Sequence, residues 1–188
     1  MISHHFKCIF IHQRKNAGSS IISSFGITPE QKEWHIFNDG VLSENPDWKE
    51  KLSFYNDYFV FSVIRNPWDR FISGWKYCES TRNKELIDVI NDLPKTGHDY
   101  RHLTRPQIEI LLDKDGKLIT DYLIRFERLQ DDFDIVCDRI GKPRYNLPKK
   151  NATQHDHYTS YFRDTDILSR FESHFTKDIN FFKSTLNP

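Results

Sequence analysis

The chain has 188 residues, and 27 Lys+Arg balance 27 Asp+Glu, so its formal net charge is zero. That length suits one domain, 1–188, with a real core, and zero net charge argues against a long polyanion such as nucleic acid as partner. Aromatics at 14% argue against low-complexity disorder, and no apolar run reaches membrane-spanning length, so no integral membrane segment is expected.

In chain order, Met1 to His12 lacks the long apolar region and small-residue cleavage site of a secretion signal. Phe6–Ile11 is a compact apolar run and predicts a buried strand. His12–Gly18 is polar and reads as a loop, and Ser19–Phe25 as a short helix opened by hydroxyl residues. Thr28–Asp57 carries the breakers Pro29, Gly40 and Pro46, which predicts a helix or two with long connections. Tyr58–Ile64 is nearly continuous in β-formers and gives the strongest strand expectation. Pro67 is placed to open a helix running to about Ser80.

Further helices are expected over Lys84–Leu93 and Pro106–Leu112, then an Asp-Gly turn within Lys114–Lys117. Leu118–Phe126 reads as a strand, Leu129–Ile140 as a helix ended by Gly141, Lys142–His157 as a polar loop, and Asp164–Phe182 as mostly helical. Strands alternating with helices predict an α/β fold: three layers, P-loop-like, with a central, mostly parallel sheet flanked by helices. Ligands of such sheets bind beyond the carboxyl ends of the strands. Cys8, Cys78 and Cys137 are far apart, odd in number and outside any Cys-x-x-Cys, which fits reduced, buried thiols and a cytoplasmic location.

Two strand-to-helix loops carry the chemistry. In the first, Phe10 to Ser20, successive backbone N–H groups and a helix start would face an anion. Ala17 and Gly18 leave room for its approach, Ser19 and Ser20 add hydroxyl donors, and Lys15 adds a full charge. This is not a Walker A loop, because Lys15 precedes Gly18 instead of following a second glycine. A capped turn with a solvated lysine is the bland alternative.

In the second, Arg65 follows the Tyr58–Ile64 strand and Ser73 lies about two turns into the next helix. The planar guanidinium suits a phosphate, which could sit between Arg65 and Ser73 if that helix begins near Pro67. A structural salt bridge is the alternative for Arg65. Asp69 is expected as a first-turn residue favoured by the helix dipole, Arg70 as a partner of carboxylates, and Trp68 and Trp75 as core.

His12-Gln13-Arg14-Lys15-Asn16-Ala17-Gly18-Ser19-Ser20 resembles the first donor-binding motif of the sulfotransferase superfamily, His-Ile-Pro-Lys-Thr-Ala-Gly-Thr-Ser. Ile64-Arg65-Asn66-Pro67-Trp68-Asp69-Arg70-Phe71-Ile72-Ser73 resembles the second. The likeness is greatest to the small bacterial and carbohydrate-type members. Fainter landmarks are Arg105-Pro106-Gln107, Ile124-Arg125-Phe126-Glu127, Asp132-Phe133 and Asn151 to Tyr161. Gln13-Arg14 departs from the usual Ile-Pro, and Arg14 adds an unexplained charge.

The resemblance implies a sulfuryl donor, 3'-phosphoadenosine 5'-phosphosulfate (PAPS), an acceptor hydroxyl on a carbohydrate or glycosylated molecule, and no metal. It places the 5'-phosphosulfate on Lys15, Ser19 and Ser20 within the loop Arg14–Ser20, and the 3'-phosphate on Arg65 and Ser73. Lys15 would stabilise charge on the leaving oxygen. His35 is the first choice of general base: histidine titrates near neutrality, and several carbohydrate-type relatives carry a histidine between the motifs. Glu33 and Asp39 are substitutes, and His12 is a candidate expected to be structural.

His98 with His102, and His155 with His157, could be metal pairs, but the first would need helical spacing, Gly97 and the polar context predict a loop there, and zinc is not expected. Lys149, Lys150 and Asn151 suggest a cover over the donor, and Arg125 with Glu127 a structural ion pair. Two other readings remain open: a kinase with an unusual phosphate loop, and a nonenzymatic PAPS or adenosine-bisphosphate binding module.

Overall fold

The computed structural model describes residues 1–28, 30–35, 37–38, 47–150 and 153–186. Its strands are β1 (Ile2–Ser3), β2 (Cys8–Ile11), β3 (Phe59–Ile64) and β4 (Tyr122–Arg125). Its principal helices in chain order are α1 (Gly18–Ser24), α2 (Lys32–His35), α3 (Trp48–Lys51), α4 (Pro67–Tyr77), α5 (Leu86–Asn91), α6 (Gln107–Leu111), α7 (Leu129–Ile140) and α8 (Thr165–Ser184). The chain divides into two compact units, Met1–Ile64 with Ile110–Asn151, and Arg65–Glu109 with Ala152–Pro188. Among the described residues no helix is long and apolar enough to cross a membrane.

The first unit holds the sheet, ordered β1-β2-β3-β4 among the described residues. β2–β3 and β3–β4 are parallel, and β1 is an antiparallel edge on β2. Alternation along β2 sends Cys8 and Phe10 to one face and Ile9 and Ile11 to the other, and all four are fully buried. The first face packs on Ile21 and Ile22 of α1 and Phe133 and Val136 of α7. The second packs on Phe37, Trp48 of α3 and Ile110. Burial on both faces is why β2 and β3 read as continuous apolar runs, and it produces the expected three-layer α/β arrangement with a mostly parallel sheet.

Two strand boundaries move from expectation. The run Phe6–Ile11 starts pairing only at Cys8, because the chain reverses through His4–Lys7, with Lys7 at φ 45°, to bring β1 alongside. The short edge strand Ile2–Ser3 carries too little pattern to be read alone. Leu118, expected in the last strand, instead bridges Leu112 across the Asp113–Lys117 turn, and the β4 ladder begins after Asp121. There the Asp121 carboxylate accepts the Val60 N–H at 2.7 Å. α7 spans Leu129–Ile140 as expected and ends at Gly141 in the left-handed region.

The second unit is helical among its described residues. Its core joins Phe71 and Trp75 of α4, Ile90 of α5, and Phe171, Phe175 and Ile179 of α8. Gly74 lets the Tyr100–Thr104 segment close on α4, since a Cβ there would stand 2.5 Å from the His102 carbonyl oxygen. α8 bends at Phe175, whose φ of −107° is non-helical. The Thr176 hydroxyl bonds the Glu172 carbonyl at 2.7 Å, a back-bond that bends helices.

Candidate active site

In the first unit the chain leaves β2 at Ile11 and enters α1 at Gly18. Lys15 and Ala17 both take left-handed backbone, at φ 67° and 57°, and no side chain caps the helix. A left-handed residue followed by a right-handed one turns successive N–H groups into one concavity, the geometry that receives phosphate or sulfate oxygens. α1 has only 7 residues, so these local donors matter more than a summed helix dipole.

The loop is held from beneath. Asn16 is buried, and its amide donates to the Val63 carbonyl of β3 at 2.8 Å. Gln13 occupies the position where the resembled motif has isoleucine, and it is buried as an isoleucine would be. Its amide lies 3.4 Å from the Ser62 hydroxyl, which itself donates to the Ile11 carbonyl at 2.7 Å. That contact serves the Gln13 amide nitrogen alone, for its Oε1 is buried without a hydrogen-bond partner. Arg14, Lys15 and Ser19 are half-buried, and Ser20 is buried. The Ser20 hydroxyl accepts the Lys150 backbone N–H at 3.4 Å, which ties the segment after α7 to this loop. Asp39 and Asn151 lie outside the described residues.

Gly18 has a packing reason that the sequence did not show. A Cβ on it would run into the His12 imidazole ring, so the space goes to a protein side chain. His12 is buried, and its Nδ1 pairs with the Asn38 amide at 3.0 Å, which fits the structural role expected of it. His35 closes α2 and is exposed, and Glu33 on the same helix is half-buried.

In the second unit α4 does begin at Pro67. Asn66 caps it, its Oδ1 accepting from the N–H groups of Trp68 at 3.0 Å and Asp69 at 3.3 Å. Arg65 stands just before this cap and is buried. Its Nε and one Nη lie 2.8 and 2.7 Å from the same Asp69 carboxylate oxygen. Asp69 is thus both a first-turn anion and the residue that aims the guanidinium. Ser73, one turn beyond Asp69, is buried, and its carbonyl accepts the Thr153 hydroxyl at 3.5 Å.

The Arg65 backbone is clamped from the side. Its N–H donates to Gln107 Oε1 at 3.0 Å, and its carbonyl accepts from Gln107 Nε2 at 2.9 Å. Gln107 and Ile108 in turn donate their backbone N–H groups to the buried Asp178 carboxylate at 2.8 and 3.2 Å. Burial pushes the Asp178 pKa up, against the pull of the Arg70 guanidinium and these donors. Gln107 was legible as a motif landmark, but Asp178, 71 residues away, carries no sequence signal of this role.

Other expectations fall outside these loops. Trp75 is core, and its indole N–H donates to the Thr81 carbonyl at 2.9 Å. Arg125 and Glu127 stand 3.9 Å apart. His98 and His102 are not on a loop: the turn Gly97–Asp99 runs into a π-helical segment, Tyr100–Thr104, and their rings stack at 4.0 Å. Stacking of the two rings on Tyr77 favours the helical turn over the loop that Gly97 suggested. Cys78, His98 and Asp99 bring potential ligand atoms within 4.8 Å of one another. Asp99 there accepts hydrogen bonds from His98 at 2.8 Å and from Ser80, which hold its carboxyl below the usual range.

The family model of the Sulfotransferase family matches residues 4–184, across both units and both loops. The chain belongs to the sulfotransferase family. As a sulfotransferase it is a transferase of sulfuryl groups acting on an acceptor hydroxyl, and its sheet and loops fit the P-loop-like fold of that family. The chain is also 28% identical over 104 residues to an uncharacterized protein of Archaeoglobus fulgidus, covering 55% of this chain and 85% of that one. No solved structure matches it.

Proposed function

We propose that this sulfotransferase, 1–188 acting as one catalytic domain, moves the sulfuryl group of PAPS to a carbohydrate hydroxyl by in-line displacement. The observation that carries the reading is the loop at Lys15–Ser20. Two residues in left-handed backbone, one of them a lysine, shape this strand-to-helix turn, within a chain whose family model spans both donor motifs. Lys15, Ser19, Ser20 and the loop N–H groups bind the 5'-phosphosulfate. Arg65 and Ser73 bind the 3'-phosphate, as the buried, pre-aimed guanidinium supports.

In the reaction the acceptor oxygen bonds to sulfur as the bond from sulfur to the bridging oxygen breaks. The electron pair stays on the phosphate of adenosine 3',5'-bisphosphate, and Lys15 stabilises that charge. The acceptor proton passes to His35, which α2 leaves exposed to an incoming molecule. The 142–150 segment, tied to Ser20 through Lys150, covers the donor.

The test is calorimetric titration with adenosine 3',5'-bisphosphate against AMP and Mg-ATP, without added metal. The expected result is binding that requires the 3'-phosphate and is lost in Arg65→Ala. A preference for Mg-ATP would overturn the reading in favour of a kinase. Tight bisphosphate binding with no turnover on any hydroxyl acceptor would favour a binding module.

A further inference from the structure

Arg65 is the first residue past β3, where the chain leaves the strand. Buried backbone groups must be paired, and here a single side chain meets both its N–H and its carbonyl. The Gln107 carboxamide presents one acceptor and one donor at 3.0 and 2.9 Å, mimicking a neighbouring strand. Gln107 is itself fixed at the start of α6, because Asp178 accepts the N–H groups of both Gln107 and Ile108. Gln107 and Asp178 are each about 1% exposed, and neither adjoins Arg65 in sequence. Arg65 is therefore held at both ends, by Gln107 at its backbone and by Asp69 at its guanidinium.

We propose that Gln107, braced by Asp178, is the positioning residue that sets recognition of the donor's 3'-phosphate. This rests on the reading of Arg65 as the 3'-phosphate ligand. A carboxamide is required at 107 because the clamp runs in both directions. A carboxylate can accept the Arg65 N–H but cannot donate to the Arg65 carbonyl, so Gln107→Glu turns one bond into the repulsion of two acceptors. The strand end then relaxes and the guanidinium loses its aim. A site specific for a buried polar group is most sensitive to such misplacement when the ligand carries the matching group.

The experiment measures affinity for adenosine 3',5'-bisphosphate and for AMP, with thermal midpoints, in the wild type and in Gln107→Glu. The expected result is a loss of about tenfold or more for the bisphosphate, with AMP affinity held within about twofold. A merely structural role would weaken both ligands together, and that outcome overturns the proposal, as does an unchanged bisphosphate preference in Gln107→Glu. If the wild type itself shows no 3'-phosphate preference, the reading of Arg65 fails first, and this proposal with it. Asp178→Asn provides the second variant. It exchanges one acceptor for a donor at the brace, and it should reduce the same preference in the same direction by a smaller factor. A full preference in Asp178→Asn would remove the brace from the proposal.

Discussion

After β2 the chain enters α1 through two non-glycine residues in the left-handed region, Lys15 and Ala17, with no side-chain cap on the helix. After β3 it enters α4 through Asn66, whose side chain caps two N–H groups, and Pro67, whose fixed φ suits the first helical position. The first turn stores strain, about 1–2 kcal/mol for each left-handed residue. The second is relaxed locally, and its Arg65 is held by neighbours: Asp69 at the guanidinium, Gln107 at the backbone. One loop takes its form from its own backbone conformation. The other presents an arginine that the surrounding fold holds still.

The largest test of this contrast is Lys15→Ala. Turnover is expected to fall about 10²–10³-fold, the scale for losing one group that stabilises developing charge. Bisphosphate affinity should fall far less, and initial rates with calorimetry on the same preparation separate the two. Comparable losses in both would move Lys15 from the transition state to ground-state binding.

Gly18→Ala is next, because the new methyl group meets the His12 ring. It should destabilise the protein by about 1–3 kcal/mol in urea unfolding, the cost of overpacking. His12→Ala in the same chain should return part of that loss, and strict additivity would show that His12 is not what Gly18 accommodates.

Asn66→Ala removes the cap of α4 and should cost about 1 kcal/mol. By contrast, Ala17→Gly should change stability little or raise it by up to about 1 kcal/mol, since glycine adopts φ 57° without a Cβ penalty. Urea midpoints of the two variants check the pair. A destabilising Ala17→Gly would mean that the left-handed residue is not strained, and the distinction between the two turns would collapse.

Much of this was readable in the chain. Cys8–Ile11, Phe59–Ile64 and Leu129–Ile140 declare themselves by apolar pattern and by punctuation such as Gly141. The helix start at Pro67 follows from the fixed φ of proline, and both loops follow strands as the motif spacing implies. Less was readable where pattern is short or partners are remote. Ile2–Ser3 is too brief to alternate, and Leu118 left its strand for a partner in the preceding segment. Gln13 looked like a departure from the resembled motif, but it occupies a buried position and meets Ser62.

The sequence by itself determined the α/β order, the parallel strands and the residues placed at their carboxyl ends, because apolar period, proline and glycine act within a few residues of where they stand. Only the tertiary structure decided why those residues are held as they are. Gly18 is small because His12 lies against it, 6 residues back and across a strand end. Arg65 is fixed because Gln107, 42 residues away, meets both its backbone N–H and its carbonyl, and Asp178 accepts the backbone N–H of Gln107 in turn. Such partners are chosen by packing and by the need to pair every buried polar group, and both are properties of the folded chain.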